Sequence, residues 1–416
     1  PRSRGLGDVY KRQGLLIAVA VVVVAVIIYF STQQSKVSKT GVGGEIKMGI
    51  ILGFTGPIES LTPAMADSAE LAFKEASDSG SLLGGAKISP MRADSTCVDS
   101  AAATAAAEGL ISGGVAAIMG ADCSGVTGAI ATNVAVPNGV VMISPSATSP
   151  GLTTLDDKGF FFRTAPSDAR GGQILADITK DRGINSVAIT YTNNDYGKGL
   201  ADVYVAAVKA HGIKVTAVTA HEEGKGDYGA EVATLAAAGG DALAVLGYLD
   251  QAGGSIIQGS LDSGSFDTFV LSDGMIGDSL TDRFGKDLNK SFGSLPGSMG
   301  KGAGIFKEVA SAGGIDSSGP YTGESYDAAA LITLAMQAGG KADRMTVQKN
   351  VMSVANAPGT KIYPGELKKA LDLLAKGKAV NYEGATAVEF TDVGEAFGSF
   401  IEKEIKGGKF KDKKQR

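Results

Sequence analysis

Two short stretches of the 416-residue chain collect groups suited to holding a small polar molecule. Gly120-Ala121-Asp122-Cys123-Ser124-Gly125 follows the apolar run 115–119, and Ser144-Pro145-Ser146-Ala147-Thr148-Ser149-Pro150 follows the apolar run 140–143. Each is a buried-strand pattern that empties into a loop of small residues, hydroxyls and backbone N–H groups. Loops at the carboxyl ends of parallel strands are where open α/β sheets bind ligands. Hydroxyls and N–H groups converging there suit an anion such as a carboxylate. This is the chemistry of capture rather than of turnover.

Motifs for catalysis are scarce. The one Gly-x-Gly-x-x-Gly, at Gly224, Gly226 and Gly229, does not directly follow its strand, and Glu222, Glu223 and Asp227 would repel a pyrophosphate. It reads as an acidic loop. There is no phosphate-cradling Gly-x-x-x-x-Gly-Lys-Ser/Thr and no Gly-x-Ser-x-Gly elbow. His211 at a helix end and His221 in a polar loop read as solvated structural residues. Two Cys and two His are too few for a zinc-type site, so neither metal nor cofactor is expected. Cys97 and Cys123 follow successive strands and fall at the same sheet edge. A disulfide is expected there, the alternative being two unrelated buried thiols. The bridge would contribute roughly 3–4 kcal/mol in a chain-entropy treatment and requires an oxidising compartment.

The elements that must position these loops alternate. Strand patterns fall at 46–52, 87–92, 115–119 and 140–143, with helical patterns at 64–76, 100–111 and 126–135 between them. After Pro166 a second series begins, with helices at 170–180, 199–210, 228–238 and 255–261 and strands at 187–191, 215–219, 242–246 and 269–271. Strands alternating with helices imply parallel sheets covered on both faces, and two such series imply two lobes. Residues 291–318 are Gly- and Ser-rich and carry no clear pattern. A helix follows over 325–337, another opens at Pro364 and runs to Ala375 on the stripe Leu367, Leu371 and Leu374, and 381–390 and 396–405 read as terminal strands.

Composition sets the outer limits. Hydrophobic content of 44% with 20% charged residues fits a globular protein long enough for two cores, and a net charge of −5 gives no reason to expect nucleic acid. Residues 1–13 are a basic n-region or a non-native remnant, and 14–30 are uninterruptedly apolar. At ~1.5 Å per residue that run spans about 25 Å, between a signal-peptide core and a membrane anchor. Either reading exports the chain beyond the linker 31–44. The Lys-rich end, 403–416, reads as a frayed, solvated tail.

Several segments carry a family resemblance. Ile51-Leu52-Gly53-Phe54-Thr55-Gly56-Pro57 resembles the opening strand and loop of the branched-chain amino acid (Leu/Ile/Val) binding proteins of ABC transporters. Asp94-Ser95-Thr96-Cys97, Ala121-Asp122-Cys123-Ser124 and the loop from Ile143 to Pro150 continue it. So do Phe162-Arg163-Thr164, Asn194-Asp195-Tyr196-Gly197-Lys198-Gly199 and Ser318-Gly319-Pro320-Tyr321. Each motif is weak alone; the ordered set, with both Cys positions, is specific. The resemblance implies a type I periplasmic-binding-protein fold, α/β, with two doubly wound parallel-sheet lobes joined by a three-crossover hinge. Lobe 1 would be 45–162 completed by about 297–378, and lobe 2 would be 163–296 completed by about 379–402.

Carried over residue by residue, the resemblance implies that Ser124 and Thr148 hold a ligand α-carboxylate, helped by backbone N–H groups at Ala147 and nearby. Ser146 would offer its carbonyl to the α-ammonium, and Tyr196 and Asp273 would complete that site from the second lobe. Leu61, Tyr248 and Tyr321 would wall the side-chain pocket. An ammonium wants carboxylate or carbonyl oxygens and a carboxylate wants donors, so the assignment is chemically consistent. Two departures stand out: Leu61 sits where the family's covering aromatic is expected, and Asp273 is shorter than the more usual Glu. The implied protein is a periplasmic, monomeric, non-enzymatic receptor that captures an amino acid and delivers it to an inner-membrane ABC permease. The alternatives are a sensor tethered through residues 14–30 and an enzyme on a doubly wound scaffold.

Overall fold

The computed structural model describes residues 44–416. The expected basic segment 1–13, the apolar run 14–30 and all but the last residue of the linker lie outside the described residues. Among the described residues, no helix is long and apolar enough to cross a membrane.

The first lobe is laid down as β1 (Glu45–Leu52), α1 (Thr62–Asp78), β2 (Lys87–Asp94), α2 (Ser100–Gly113), β3 (Ile118–Gly120), α3 (Ser124–Ile130), β4 (Met142–Ser144) and β5 (Phe161–Arg163). Its five strands are all parallel, in the order β2-β1-β3-β4-β5. The strands β3, β4 and β5 are buried at every residue, as a sheet covered on both faces requires. Asp99 caps α2 by accepting from the N–H groups of Ala101 and Ala102, satisfying two donors the helix itself leaves free.

The second lobe follows as α4 (Asp168–Asp181), β6 (Ser186–Thr192), α5 (Asp195–Ala210), β7 (Lys214–His221), α6 (Gly229–Ala238), β8 (Ala242–Leu246), α7 (Gly254–Asp262), β9 (Phe269–Leu271), α8 (Asp278–Phe284) and β10 (Phe292–Pro296). The chain then returns to pack against the first lobe with α9 (Lys301–Ala312), α10 (Thr322–Gly339), α11 (Arg344–Ala355), β11 (Thr360–Ile362), α12 (Leu367–Leu374) and β12 (Val380–Tyr382). It ends in the second lobe with β13 (Phe400–Lys406) and β14 (Lys409–Gln415). The second sheet runs β14-β13-β10-β9-β8-β6-β7, with β13 and β14 antiparallel to their neighbours. The chain therefore passes between the sheets three times, after Arg163, after Pro296 and after Tyr382.

The structure corrects several expectations. Lys403–Arg416 is not a frayed tail. It completes β13 and adds the edge strand β14, because Glu402, fully buried, draws Arg182, Lys413 and Arg416 onto its carboxylate. The patternless region 291–318 holds β10 and α9, and α11 and β11 arise where no element was expected. Of the expected strand 381–390, residues 381 and 382 pair with β11 and Phe390 makes an isolated bridge to Ala396. His221 is buried at the end of β7, its Nδ1 paired with the Thr190 hydroxyl at 2.8 Å, and is not solvated.

Candidate functional site

In both sheets strand order reverses at one point: between β1 and β3 in the first, and between β6 and β8 in the second. Loops leaving the carboxyl ends of strands at such a point cannot cover one another, so a crevice opens there. The loops after β1, β3 and β4 supply Ile58, Leu61, Asp122, Ser124 and Ser146; those after β6, β8 and β9 supply Tyr196, Tyr248 and Asp273. Tyr321, at the entry to α10, closes the ring. Close approach decides two backbone positions. A Cβ on Gly120 would lie 2.0 Å from the Ile51 carbonyl oxygen, and one on Gly274 would lie 2.5 Å from that of Gly247.

Asp273 is the focus. The Tyr196 hydroxyl donates to its Oδ1 at 2.6 Å and the Tyr321 hydroxyl donates to its Oδ2. The Gly274 N–H donates to the Tyr196 oxygen at 3.2 Å, and Tyr196 stacks on Tyr248 with ring centroids 5.1 Å apart. Burial pushes the Asp273 carboxyl up, and the two tyrosine hydroxyls only partly offset it. The lining includes no Lys, Arg or His.

Asp168, which the sequence does not single out, opens α4 behind the Ser167 cap. It is 2% exposed, and its Oδ2 has no hydrogen-bond partner among the described residues. Burial first, then the charge of Asp273, pushes its carboxyl well above the usual range. The Thr148 hydroxyl is near enough to favour the ionised form without satisfying it: Thr148 Oγ1 is itself buried and unpartnered. An orphaned buried carboxylate and an orphaned hydroxyl are costly unless something else completes them.

The remaining expected residues divide. Ser124, Ser146, Leu61, Tyr196, Tyr248, Asp273 and Tyr321 line one cavity, with Ile58 and Met65 extending its apolar wall. Ser124 Oγ accepts from the Ser149 N–H at 3.0 Å, and Ser146 Oγ donates to the Asp122 carbonyl at 3.1 Å. Ala147 and Thr148 do not line it. The Ala147 N–H is taken by Ser144 Oγ at 2.9 Å and its carbonyl by Arg163 at 3.0 Å, so its role as a donor is corrected. Arg163, 1% exposed, also bonds the Ser149 carbonyl, Thr153 and Glu395, tying the Ser-rich loop to the first crossing. Cys97 and Cys123 form the expected disulfide, Cα atoms 5.1 Å apart, which fixes the loop that presents Ser124.

The cleft is shut. Ser60 donates from N–H and Oγ to the Asp250 carboxylate, each at 2.9 Å, and Ser149 Oγ donates to the Asp195 carbonyl at 2.9 Å. The walls close on about 30 Å³ of free space, so a guest as large as an amino acid enters only as the lobes part.

Comparisons with known proteins agree with this fold. The profile of the periplasmic binding protein family matches residues 45–362. The Leu/Ile/Val-binding protein homolog 3 of Brucella melitensis is 29% identical over 55% of this chain and 60% of its own length. The chain thus spans about three-fifths of that relative. The Leu/Ile/Val-binding protein homolog 1 of the same organism is 30% identical over 73% of this chain and 81% of its length. Among solved structures, a leucine-binding protein from Thermotoga maritima superposes with a TM-score of 0.74 at 20% identity, covering 89% of this chain and 98% of that one.

Proposed function

Because the chain belongs to the periplasmic binding protein family, we propose that it is an extracytoplasmic receptor for an α-amino acid with a branched aliphatic side chain, delivering it to an ABC permease. The observation that carries this reading is a pair of buried carboxylates, Asp273 and Asp168, beside a cavity whose lining includes no cationic side chain. A ligand ammonium supplies the missing charge and lets both carboxylates ionise. Ser124, on the opposite lobe, is the donor for the ligand carboxylate. Ile58, Leu61 and Met65 offer an apolar wall without polar groups, which favours an aliphatic side chain over a polar one. Leu61 in place of an aromatic leaves room for branching beside it.

The mechanism follows from which lobe holds which group. The ligand docks through its carboxylate on the first lobe; Tyr196 and Asp273 engage only on closure. Contacts made solely in the closed state shift the equilibrium toward it. The Ser60–Asp250 and Ser149–Asp195 bonds then hold the lips together. The permease reads the closed form.

A thermal-shift screen of residues 45–416 against the common amino acids tests this reading. A ligand at about 100 times its dissociation constant stabilises the fold by ~2.7 kcal/mol. The expected result is a shift with Leu, Ile or Val that vanishes in Asp273→Ala. A shift with none of the amino acids would overturn the ligand class, and a shift that survives Asp273→Ala would overturn the site.

A further inference from the structure

Behind the Asp273 carboxylate, on the side away from the cleft, lies a second and much smaller cavity of ≈ 10 Å³, about the room that one water-sized body needs. α4 brings Asp168 and Gly171 to it, β10 brings Ser294, and the turn after β9 brings Ser272 and Asp273; the rest of its wall is apolar. Every residue that lines it is buried. Glycine keeps the space open: a Cβ on Gly171 would lie 2.9 Å from Asp168 Oδ1 and 3.1 Å from the Phe400 ring. The polar side chains of the wall are two carboxylates and two hydroxyls, with no Lys, Arg or His. Asp168 is 2% exposed and its Oδ2 has no partner among the described residues, whereas Asp273 is held from the cleft side by Tyr196 and Tyr321. Arg163, whose charge Asp168 feels, does not line the cavity and is committed elsewhere. It donates to the Ala147 and Ser149 carbonyls, to Thr153 and to Glu395, and its Nε makes no hydrogen bond among the described residues.

We infer that this cavity is a site for one monovalent alkali cation, sodium or potassium, held by Asp168 and Asp273 with the Ser272 and Ser294 hydroxyls. The wall selects the class. Carboxylate and hydroxyl oxygens suit a hard cation. A water molecule would satisfy the Asp168 oxygen but leave two like charges facing one space, and each disfavours ionisation of the other. Divalent ions fit less well: Ca²⁺ gathers more oxygens than these side chains bring, and Mg²⁺ keeps several waters for which there is no room. The ligand ammonium cannot take this place, because Asp168 does not line the cleft. Asp273 lines both spaces, so an ion here lies directly behind the carboxylate that meets the ammonium and holds it ionised and in position. The site needs no amino acid and does not rest on the reading of the cleft.

The test is the unfolding temperature of the full chain without amino acid, in sodium, potassium or choline chloride at equal ionic strength and pH 7. Choline is too large to enter and serves as the reference. Sodium or potassium at about ten times its dissociation constant should raise the unfolding temperature by roughly 2 °C over choline, and the rise should saturate. It is expected to be lost in Asp168→Asn, which removes a charge, and in Gly171→Ala, which fills the space and leaves both carboxylates in place. It should be kept in Ser124→Ala, a residue of the cleft alone. The unfolding temperature of each variant in choline establishes that it folds. Equal stability in all three salts would overturn the proposal and leave a water molecule or a shared proton between the carboxylates. A rise retained in Asp168→Asn, or one lost in Ser124→Ala, would overturn it as well. Because no amino acid is present, this site and the amino acid cleft can each fail alone.

Discussion

Two groups of buried carboxylates in this molecule are treated in opposite ways. Glu402 in β13 is fully buried, yet Arg182 and Arg416 donate to it at 2.8 and 2.5 Å and Lys413 lies at 3.3 Å. Burial pushes its carboxyl up, but those hydrogen bonds and charges outweigh it and hold the pKa at about 2. Asp168 and Asp273 are as deeply placed, but burial and each other's charge outweigh the nearby hydroxyls and, at Asp168, the charge of Arg163, and both are pushed up. The first group is complete within the chain and holds the C-terminal hairpin to α4. The second is incomplete: among the described residues no cationic side chain forms an ion pair with either carboxylate. A buried charge that the fold finishes is architecture; one that it leaves unfinished marks where a ligand finishes it.

The largest expected effect breaks the second group at its centre. Asp273→Ala should weaken amino acid binding by about 2–5 kcal/mol, since it strips the ammonium of its closed-state partner. Calorimetric titration measures it, and a loss under about threefold would mean that Asp273 is only a structural partner of the two tyrosines. Breaking the first group should leave binding intact and act on stability. Glu402→Gln should cost about 2–3 kcal/mol, the worth of hydrogen bonds to a charged group. The sign with pH is fixed by the depressed pKa: Glu402 stabilises above the ordinary value of 4.5, and this is lost as pH falls through about 2. Urea denaturation between pH 5 and 2 should therefore show a shallower acid decline in the variant.

Asp168→Asn sharpens the contrast, because it should do two opposite things. With its pKa raised, Asp168 favours the folded state below the unfolded carboxylate value and loses that contribution as pH rises toward the folded one. Removing the charge should therefore make the unliganded protein, in choline buffer, more stable at pH 7, by about 1 kcal/mol. It should also flatten the decline from pH 4 upward, while amino acid affinity drops about tenfold. A variant less stable than the parent at pH 7 would place Asp168 with the structural carboxylates instead.

How much of this was legible depended on what each residue advertises. Ser124, Ser146 and Tyr196 stand in short motifs that carry the family resemblance, Asp273 follows the strand pattern 269–271, and all four line the cavity. Asp168 hides because Ser167 precedes it: the Ser-Asp pair is fully explained as a helix cap, and Ser167 Oγ does accept from the Ala169 N–H. Nothing local says that the Asp carboxylate also turns inward. The helix Arg344–Ala355 was missed because its buried stripe is Val347, Val351 and Val354, β-branched residues of low helical preference that tertiary packing overrides. The Lys-rich end was misread for the same reason in reverse. Its charge pattern is that of a solvated tail, and only Glu402, distant from Arg182 by 220 positions, turns it into a strand.

The smallest effect tests how finely the cleft is balanced. Tyr321 donates to Asp273 and so favours its ionised form; burial acts the other way and is the larger influence. Tyr321→Phe removes the bond and keeps the ring, so the Asp273 carboxyl should move further up. A ligand ammonium must then displace a proton more often, and affinity should fall by roughly fivefold at pH 7, about 1 kcal/mol for one hydrogen bond. The loss should widen as pH is lowered, since Asp273 is protonated earlier in the variant, and should shrink toward the parent value as pH is raised. A uniform loss across pH would mean that Tyr321 acts only as a wall. A pH-dependent one would identify the carboxylate's charge as the quantity the two tyrosines control, the role that the arginines play for Glu402.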